Sequence, residues 1–248
     1  MEHINISSIK KDNYVKLSEL ELLILVGITG VGKTTTLQNL SSRVAVSFLP
    51  NRRELTDRFI IPHMQKLLNL PIQPVQDRAE RFNITGEFRK RFKGGMAYVL
   101  NSLYVSESKN ILIFDGLRGI NEVEYAQKHL PRAKYLFLEA PDSIRIERLC
   151  DRDDTFDEIK VSSQEIEKML KTVIGSKSAQ DLLKKVENKL LKKEYLIKAI
   201  EIVKKEKEHY DPDKTKKYLL ENCNNETLVI NTHINNPDQV IDKVLIFL

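Results

Sequence analysis

The chain has 248 residues, of which 41% are hydrophobic and 30% charged, and its net charge is +5. This composition provides a sizeable buried core, so it excludes a disordered chain, a collagen-like repeat and a small disulfide-stapled protein. The apolar run Leu22–Val26 is far shorter than the roughly 18 residues of a membrane-spanning helix. Two cysteines are too few for a disulfide framework. We therefore expect a cytoplasmic protein without a membrane partner.

Apolar runs of strand length alternate with segments of helical spacing along the chain. The runs predict strands over Leu20–Val26, Val44–Leu49, Asn110–Asp115, Ala133–Glu139 and Thr227–Asn231. The helical spacing predicts helices over Thr34–Leu40, Leu55–Leu68, Met96–Leu103, Glu122–His129, Ser143–Cys150 and Pro237–Leu248. This alternation predicts an α/β fold, a three-layer sandwich with a five-stranded parallel sheet.

Residues 151–225 differ from the rest of the chain, with a single glycine, a single proline and dense charge. Apolar residues at helical spacing predict two or three amphipathic helices, the longest at about Ala179–Tyr210. We therefore divide the chain into a core of residues 1–150 and 226–248 and a helical insert of residues 151–225. The insert is either a lid packed on the core or an arm that binds a protein or a nucleic acid.

A glycine-rich loop between the first predicted strand and the first predicted helix matches the pattern G-x-x-x-x-G-K-[ST] over Gly27–Thr34. Its glycines let successive N–H groups point at phosphate oxygens. Lys33 is placed to reach the β- and γ-phosphates, and the Thr34 hydroxyl to ligate Mg²⁺. The pattern predicts a P-loop NTPase fold that binds a nucleotide through Gly27, Thr29, Gly30, Val31, Gly32, Lys33, Thr34 and Thr35.

A carboxylate follows the apolar run Ile111–Phe114. In a P-loop protein an aspartate at this place lies beside the loop and holds Mg²⁺, which offsets the cost of its burial. We therefore predict Asp115 as the second metal ligand. The alternative is an exposed aspartate in a turn before Gly116.

All 13 arginines lie between Arg43 and Arg152, whereas the rest of the chain carries only lysine as its strong base. Arginine pairs bidentately with phosphate, so this distribution indicates a phosphate ligand. We predict a substrate-binding segment over residues 51–104 that uses Arg52, Arg53, Arg78, Arg81 and Arg89. The same arginines can instead form salt bridges with Asp77, Glu80 and Glu87, while Phe82 is available to stack on a base.

Two classes of P-loop protein fit poorly. Switch GTPases need D-x-x-G and N-K-x-D, which Asp115–Arg118 and Asn188–Leu191 do not match. AAA-type ATPases usually place a glutamate directly after the strand aspartate, where this chain has Gly116, and the chain is short for an AAA module with its own helical lid. Phosphoryl transfer to an acceptor, or a degenerate hydrolase, remains.

Several stretches resemble P-loop nucleoside and nucleotide kinases of the adenylate-kinase-like, dephospho-coenzyme-A-kinase-like and deoxynucleoside-monophosphate-kinase-like groups. They are Asp115-Gly116-Leu117-Arg118 followed by Glu122-Val123, the series Arg145, Arg148 and Arg152, and the chain end from Leu228. The resemblance covers under half of the chain. It implies ATP and Mg²⁺ as cofactors and Lys33, Arg118, Arg148 and Arg152 as catalytic residues. The helix that carries the three arginines could instead present a solvated face, with these arginines paired with Glu147 or Asp151.

The acceptor is less defined than the nucleotide. A hydroxyl acceptor needs a carboxylate base near the end of the second strand, where the chain reads Asn51-Arg52-Arg53-Glu54. This favours a small, already phosphorylated acceptor such as a nucleoside monophosphate, although Glu54 and Asp57 keep a hydroxyl acceptor open. The alternative function is an ATPase or nucleotide-dependent switch whose insert binds a protein or nucleic acid. The sequence leaves open the acceptor's identity, ATP against GTP, and the oligomeric state.

Overall fold

The computed structural model describes residues 2–106, 108–151, 163–188 and 190–248. The strands in these residues are β1 (Glu2–His3), β2 (Ile6–Ser7), β3 (Tyr14–Lys16), β4 (Leu22–Val26), β5 (Val46–Phe48), β6 (Tyr104–Ser106), β7 (Ile111–Leu117), β8 (Ala133–Glu139) and β9 (Thr227–Asn231). The first six helices are α1 (Lys33–Ser41), α2 (Arg52–Leu55), α3 (Ile61–Leu67), α4 (Arg78–Arg91), α5 (Gly95–Asn101) and α6 (Ile120–His129). The others are α7 (Asp142–Cys150), α8 (Ser163–Ile174), α9 (Ser176–Glu187), α10 (Lys193–His209), α11 (Pro212–Asn222) and α12 (Pro237–Phe247).

The five predicted strands pair in parallel in the order β5-β7-β4-β8-β9, and the two-residue β1 extends the sheet beside β5. This confirms the predicted α/β fold with its five-stranded parallel sheet. Strand β4 is central and buried at every position, as its continuous apolar run requires. Because β4 and β7 are parallel neighbours, with Leu25 opposite Asp115, the loop after β4 emerges beside that carboxylate.

Side chains of β4 alternate between two cores, which produces the three layers. Leu22 and Ile24 pack in a cluster with Leu100 of α5 and Val123 of α6. Their neighbours Leu23 and Leu25 pack on the other face with apolar residues of α1 and α12.

A small antiparallel sheet in the order β2-β6-β3 was not predicted. Each of its strands has two or three residues, too short to show an alternating pattern. Ile6 and Val105 of this sheet are buried in the core.

In its described residues the insert has four helices, α8 to α11, where two or three were predicted. The predicted single helix Ala179–Tyr210 is wrong, because the helical conformation is interrupted between α9 and α10. The amides of Leu190 and Leu191 donate to the Lys185 carbonyl, which turns the chain back on the end of α9. The apolar spacing continues across this break, so periodicity alone did not reveal it.

The insert packs on the core through a third apolar cluster. Ile146 and Leu149 of α7 contact Leu170 of α8 and Leu196 and Ile200 of α10 in this cluster. Helix α11 contacts α6 and β9. None of the helices in the described ranges is long and apolar enough to cross a bilayer.

Candidate nucleotide site

The phosphate loop connects β4 to α1 through glycines in conformations that other residues rarely adopt. Gly30 has φ +85°, and a Cβ there would lie 3.0 Å from the Arg145 carbonyl oxygen. Gly32 has φ +92° and forms the N-terminal boundary of α1, which has no side-chain cap and no acidic residue in its first turn. The N–H groups of the first turn of α1 and the positive end of its dipole therefore form a favourable position for an anion.

Lys33 curls back over this loop. Its Nζ donates to the carbonyl oxygens of Gly27, at 2.9 Å, and Ile28, at 3.1 Å, and lies 3.9 Å from Asp115 Oδ1. The ammonium group is therefore held at the centre of the loop, beside the predicted metal ligand.

Asp115 lies within β7, two residues before its end, and its Oδ1 is buried. No partner in the described part of the chain makes a hydrogen bond to this oxygen. Burial raises the pKa of the Asp115 carboxyl, an effect that Lys33 and Arg118 oppose. A buried carboxylate oxygen without a hydrogen bond is a suitable ligand for a hard cation, so the site fits Mg²⁺. The Thr34 side chain is exposed in the same cleft.

A cleft of about 1040 Å³ opens above the loop. Its walls are formed by residues of the phosphate loop and α1, the start of α2, the end of β7, α7 and the turn after β9. The lining residues are Thr29, Gly30, Gly32 to Thr36, Asn51 to Arg53, Asp115, Gly116, Arg118, Arg148, Asp151, Thr232 to Pro237, Gln239 and Val240. The predicted loop residues Gly27 and Val31 do not line this cleft.

Arg148 joins two walls of the cleft. Its Nη1 donates to the Gly30 carbonyl at 3.1 Å and to Thr232 Oγ1 at 2.9 Å, and its Nη2 donates to the Thr232 carbonyl at 2.9 Å. All three acceptors are neutral. Burial lowers the pKa of the Arg148 guanidinium, and Glu147 opposes this shift.

Arg145 does not share the environment of Arg148. It is fully buried beneath the loop, where Nε donates to the Thr29 carbonyl at 2.8 Å and Nη1 to Asp142 at 2.5 Å. Its Nη2 donates to Glu206 of α10 at 2.5 Å. These partners are not Glu147 or Asp151, and Glu147 instead accepts from Lys185 of α9. Arg152 lies outside the described residues.

Arg118 lies at the edge of the cleft in contact with the insert. Its Nη1 is 3.4 Å from Glu206 Oε1, and its guanidinium lies over the Tyr210 ring, 5.8 Å from the centroid. The side chain is 33% exposed, so the group faces the cleft. Its backbone N–H donates to the Glu122 carboxylate at 3.1 Å.

Arg52 is engaged by a carboxylate. Its guanidinium donates to both Glu122 oxygens, at 2.6 and 2.8 Å, and to the Gly116 carbonyl at 2.7 Å. Burial lowers the pKa of Arg52, but the Glu122 pair outweighs it and the net pKa is raised. Burial likewise raises the pKa of Glu122, while Arg52 and backbone N–H donors make the net shift downward.

The other predicted substrate ligands separate in space. Arg53 is exposed in the main cleft, whereas Arg81 donates to the Asp57 carboxylate and the Val75 carbonyl. Arg89 lies over the Phe82 ring, 5.9 Å from its centroid. Arg78 begins α4, but its side chain lies outside the described set. Asp57, the observed partner of Arg81, is not among the acidic residues considered for it from the sequence.

A second cleft of about 710 Å³ lies between α4 and the end of α10. Phe82, 55% exposed, stacks on His209 with ring centroids 6.3 Å apart and an interplanar angle of 27°. Arg89, Lys93 and Tyr210 also line this cleft.

Glu206 was missed in the sequence, and Glu122 was noted there only as part of the resemblance to P-loop kinases, without a role. Glu206 is buried on α10, although the insert is rich in exposed acidic residues. Its signal is positional: Leu196, Ile200 and Val203 form the buried stripe of α10, and Glu206 continues it one turn later. A charge on a buried stripe indicates a partner. Glu122, also buried, falls likewise on the inward face of α6, beside Val123 and Ala126.

The family described as AAA domain matches residues 23–170, more than half of the chain. The chain belongs to this family. This corrects the expectation that it is not an AAA protein, although Gly116 still stands where a glutamate is usual. The AAA domain match and the fold agree with the predicted resemblance to the P-loop kinase superfamily. The comparison with curated proteins gave no match.

Three solved structures illustrate the similarity at low identity. TT1252 from Thermus thermophilus is 13% identical with a TM-score of 0.46, over 92% of this chain and 97% of that one. A sugar kinase from Janibacter sp. HTCC2649 is 15% identical with a TM-score of 0.38, over 92% and 93%. Shikimate kinase from Aquifex aeolicus vf5 is 16% identical with a TM-score of 0.34, over 91% and 95%. Similarities of this size carry no argument about activity.

Proposed function

We propose that this AAA domain protein is an ATP- and Mg²⁺-dependent kinase that transfers the γ-phosphoryl group to a small, phosphorylated acceptor such as a nucleoside monophosphate. The observation that carries the proposal is the set of side chains that line the first cleft. Lys33 lies 3.9 Å from Asp115, whose Oδ1 is buried without a hydrogen bond among the described residues. Arg148 faces the same cleft, and its hydrogen-bond acceptors among the described residues are all neutral.

The residues take their roles from this arrangement. The loop amides and the N-terminus of α1 bind the phosphates. Gly27 and Val31 shape the loop, and Thr29, Gly30 and Gly32 to Thr35 face the ligand. Lys33, Arg118 and Arg148 stabilise the charge that spreads over the transferring group, with Arg152 as a further predicted cation. Asp115 and Thr34 would hold Mg²⁺, which would neutralise part of the phosphate charge.

The acceptor fits the second cleft. Residues Gly116 and Arg118 line the first cleft and Gly119 to Glu122 line the second, so one short segment borders both. Arg118 also lies over the ring of Tyr210, which lines the second cleft. The exposed Phe82 and His209 rings offer a stacking surface for a base, with Arg89 as the nearest predicted phosphate ligand. Arg53, exposed in the first cleft, stays a predicted substrate ligand on that side.

The proposal is tested with Lys33→Ala. This substitution removes a positive charge that is proposed to stabilise the transferring phosphoryl group, so ATP turnover should fall by at least about 10²-fold. The thermal unfolding temperature should stay close to that of the parent protein. Lys10→Ala, an exposed lysine between β2 and β3, is the matched control and should retain full turnover. Parent-like turnover in Lys33→Ala would disprove the assignment.

A second candidate is a nucleotide-dependent ATPase or switch whose insert binds a protein or a nucleic acid. The contact between Glu206 of α10 and Thr29 of the phosphate loop favours it, because nucleotide binding then reaches the insert directly. Deleting the insert would uncover Ile146 and Leu149 of α7, so binding assays on the whole chain are the cleaner test. Nucleic-acid affinity that falls steeply with salt would support this candidate, and a flat salt response would count against that partner.

A further inference from the structure

Glu206 is the place where the insert touches the phosphate loop. Its carboxylate accepts hydrogen bonds from Thr29 N, at 3.1 and 3.2 Å, and from Thr29 Oγ1 at 2.5 Å. Arg145 Nη2 donates to it at 2.5 Å and Arg118 Nη1 at 3.4 Å. The side chain is 8% exposed, so this carboxylate is buried among loop donors and two guanidinium groups.

The two arginines on Glu206 are held to different degrees. Arg145 is 1% exposed and has Asp142 as a second carboxylate partner, itself paired with Lys207 of α10 at 2.5 Å. This inner network is a permanent part of the packing, because separating a buried charge from its partner is costly. Arg118 is 33% exposed and its bond to Glu206 is long. It is therefore the movable member, anchored on one side by Glu206 and by the Tyr210 ring.

We infer that Glu206 is a positioning residue of the phosphate site, which fixes the loop at Thr29 and holds the Arg118 guanidinium toward the cleft. The helical insert then supplies part of the site. This inference rests on the proposed function, since it assigns Arg118 to the transferring phosphoryl group. Glu206 is not suited to act as a base, because its two oxygens already accept from four donor groups.

The test is a double-mutant cycle between Glu206→Gln and Arg118→Ala, read as kcat and KM for MgATP. Glu206→Gln keeps the shape of the side chain but removes its charge. We expect kcat to fall about tenfold or more with KM changed by less than about threefold, since the lost interaction acts in the transition state. In the Arg118→Ala background the same change should lower kcat by a clearly smaller factor than in the parent, because one of its two targets is gone and only the contact with Thr29 remains. Glu187→Gln, on the exposed end of α9, is the matched control.

A purely structural role for Glu206 gives a different result. It would lower the unfolding temperature while kcat per folded molecule stays at the parent value, or its effect would multiply fully with that of Arg118→Ala. Either outcome overturns the inference. If Glu206→Gln does not fold, Thr29→Val removes the hydroxyl bond to the same carboxylate with little change in volume. It should lower kcat in the same direction, and an unchanged kcat would overturn the inference.

The same cycle is run on ATP hydrolysis without an acceptor, because Arg118 would stabilise transfer to water as well. If no acceptor raises turnover but Glu206→Gln still slows hydrolysis through Arg118, the proposed kinase function fails and the inference stands. If an acceptor raises turnover and Glu206→Gln has no effect, the inference fails alone. Absence of any ATP turnover in the parent protein overturns both.

Discussion

Arg52 and Arg148 line the same cleft but are held by different kinds of partner. Arg52 forms a bidentate pair with the buried carboxylate of Glu122. Arg148 donates to the carbonyl oxygens of Gly30 and Thr232 and to the Thr232 hydroxyl. The net pKa of Arg52 is raised by its pair, whereas burial lowers the pKa of Arg148.

The difference shows which cations remain available to an anionic ligand. A buried carboxylate in a close bidentate pair largely cancels the charge of a guanidinium, so the Arg52–Glu122 pair mainly joins parts of the fold. Carbonyl and hydroxyl partners fix the geometry but leave the positive charge uncompensated, and a phosphate then offsets its burial. The number of arginines in a segment is therefore a weaker indicator of a phosphate site than the partners that each arginine has.

The largest expected effect is on stability, in Arg52→Ala. Removing Arg52 leaves the Glu122 carboxylate buried without its cation, which should cost about 3–5 kcal/mol of unfolding free energy. The lowered pKa of Glu122 means that this pair stabilises the fold above the ordinary value of 4.5 and loses its effect as pH falls. Chemical denaturation across that range should show the acid-side loss in the parent but much less in the variant. The control is Arg53→Ala, a substitution at an exposed neighbour, which should have the same unfolding free energy as the parent. An Arg52→Ala variant as stable as the parent would contradict the structural role of Arg52.

Arg148→Ala should act on turnover. The variant loses a cation that has neutral hydrogen-bond acceptors and that is proposed to stabilise the transferring phosphoryl group, so kcat should fall by about 10²-fold, which corresponds to about 3 kcal/mol. Its three neutral hydrogen bonds contribute less, so the unfolding free energy should fall by only about 1–2 kcal/mol. Arg148→Lys, which keeps the charge, should recover part of the rate. A fall in stability with unchanged kcat would contradict this and show that Arg148, like Arg52, mainly stabilises the fold.

Asp115→Asn tests two properties of the buried Asp115 carboxylate, its cost to stability and its role as a metal ligand. The raised pKa of Asp115 disfavours the charged form in the fold, so the parent loses stability as pH rises from the ordinary value of 3.8 through the raised one. Asparagine stays neutral, so the variant should be more stable than the parent at neutral pH, by about 1 kcal/mol. Mg²⁺ with ADP should raise the unfolding temperature of the parent more than that of the variant. An equal rise in both would remove Asp115 as a metal ligand.

The smallest effect is expected for Arg81→Ala. Its partner Asp57 is 45% exposed, and ion pairs at such sites contribute about 0.5 kcal/mol. A carboxylate-bound Arg81 should leave KM for the acceptor within about twofold. A tenfold rise in KM would instead support Arg81 as a substrate ligand, as the sequence predicts.

The sequence predicted what is encoded locally. The loop Gly27–Thr34 is contiguous, and the buried strands appear as unbroken apolar runs, so the sheet and the position of the phosphate loop followed from short segments. Glu206 lies 177 residues from Thr29, and no local pattern links them. Arg145 and Arg148 share a helix and a spacing, yet one is sealed under the loop and the other faces the cleft. Their partners come from the insert and from the turn after β9, which only the fold brings together.

The most direct measurement is ADP formation by the parent protein with ATP and Mg²⁺, with and without a panel of nucleosides, nucleoside monophosphates and coenzyme precursors. Mass spectrometry of the acceptor identifies the product. We predict that one phosphorylated acceptor raises ADP formation well above the rate with water alone and gains one phosphoryl group. Slow ADP formation at the same rate with every acceptor would contradict the kinase assignment and favour the switch.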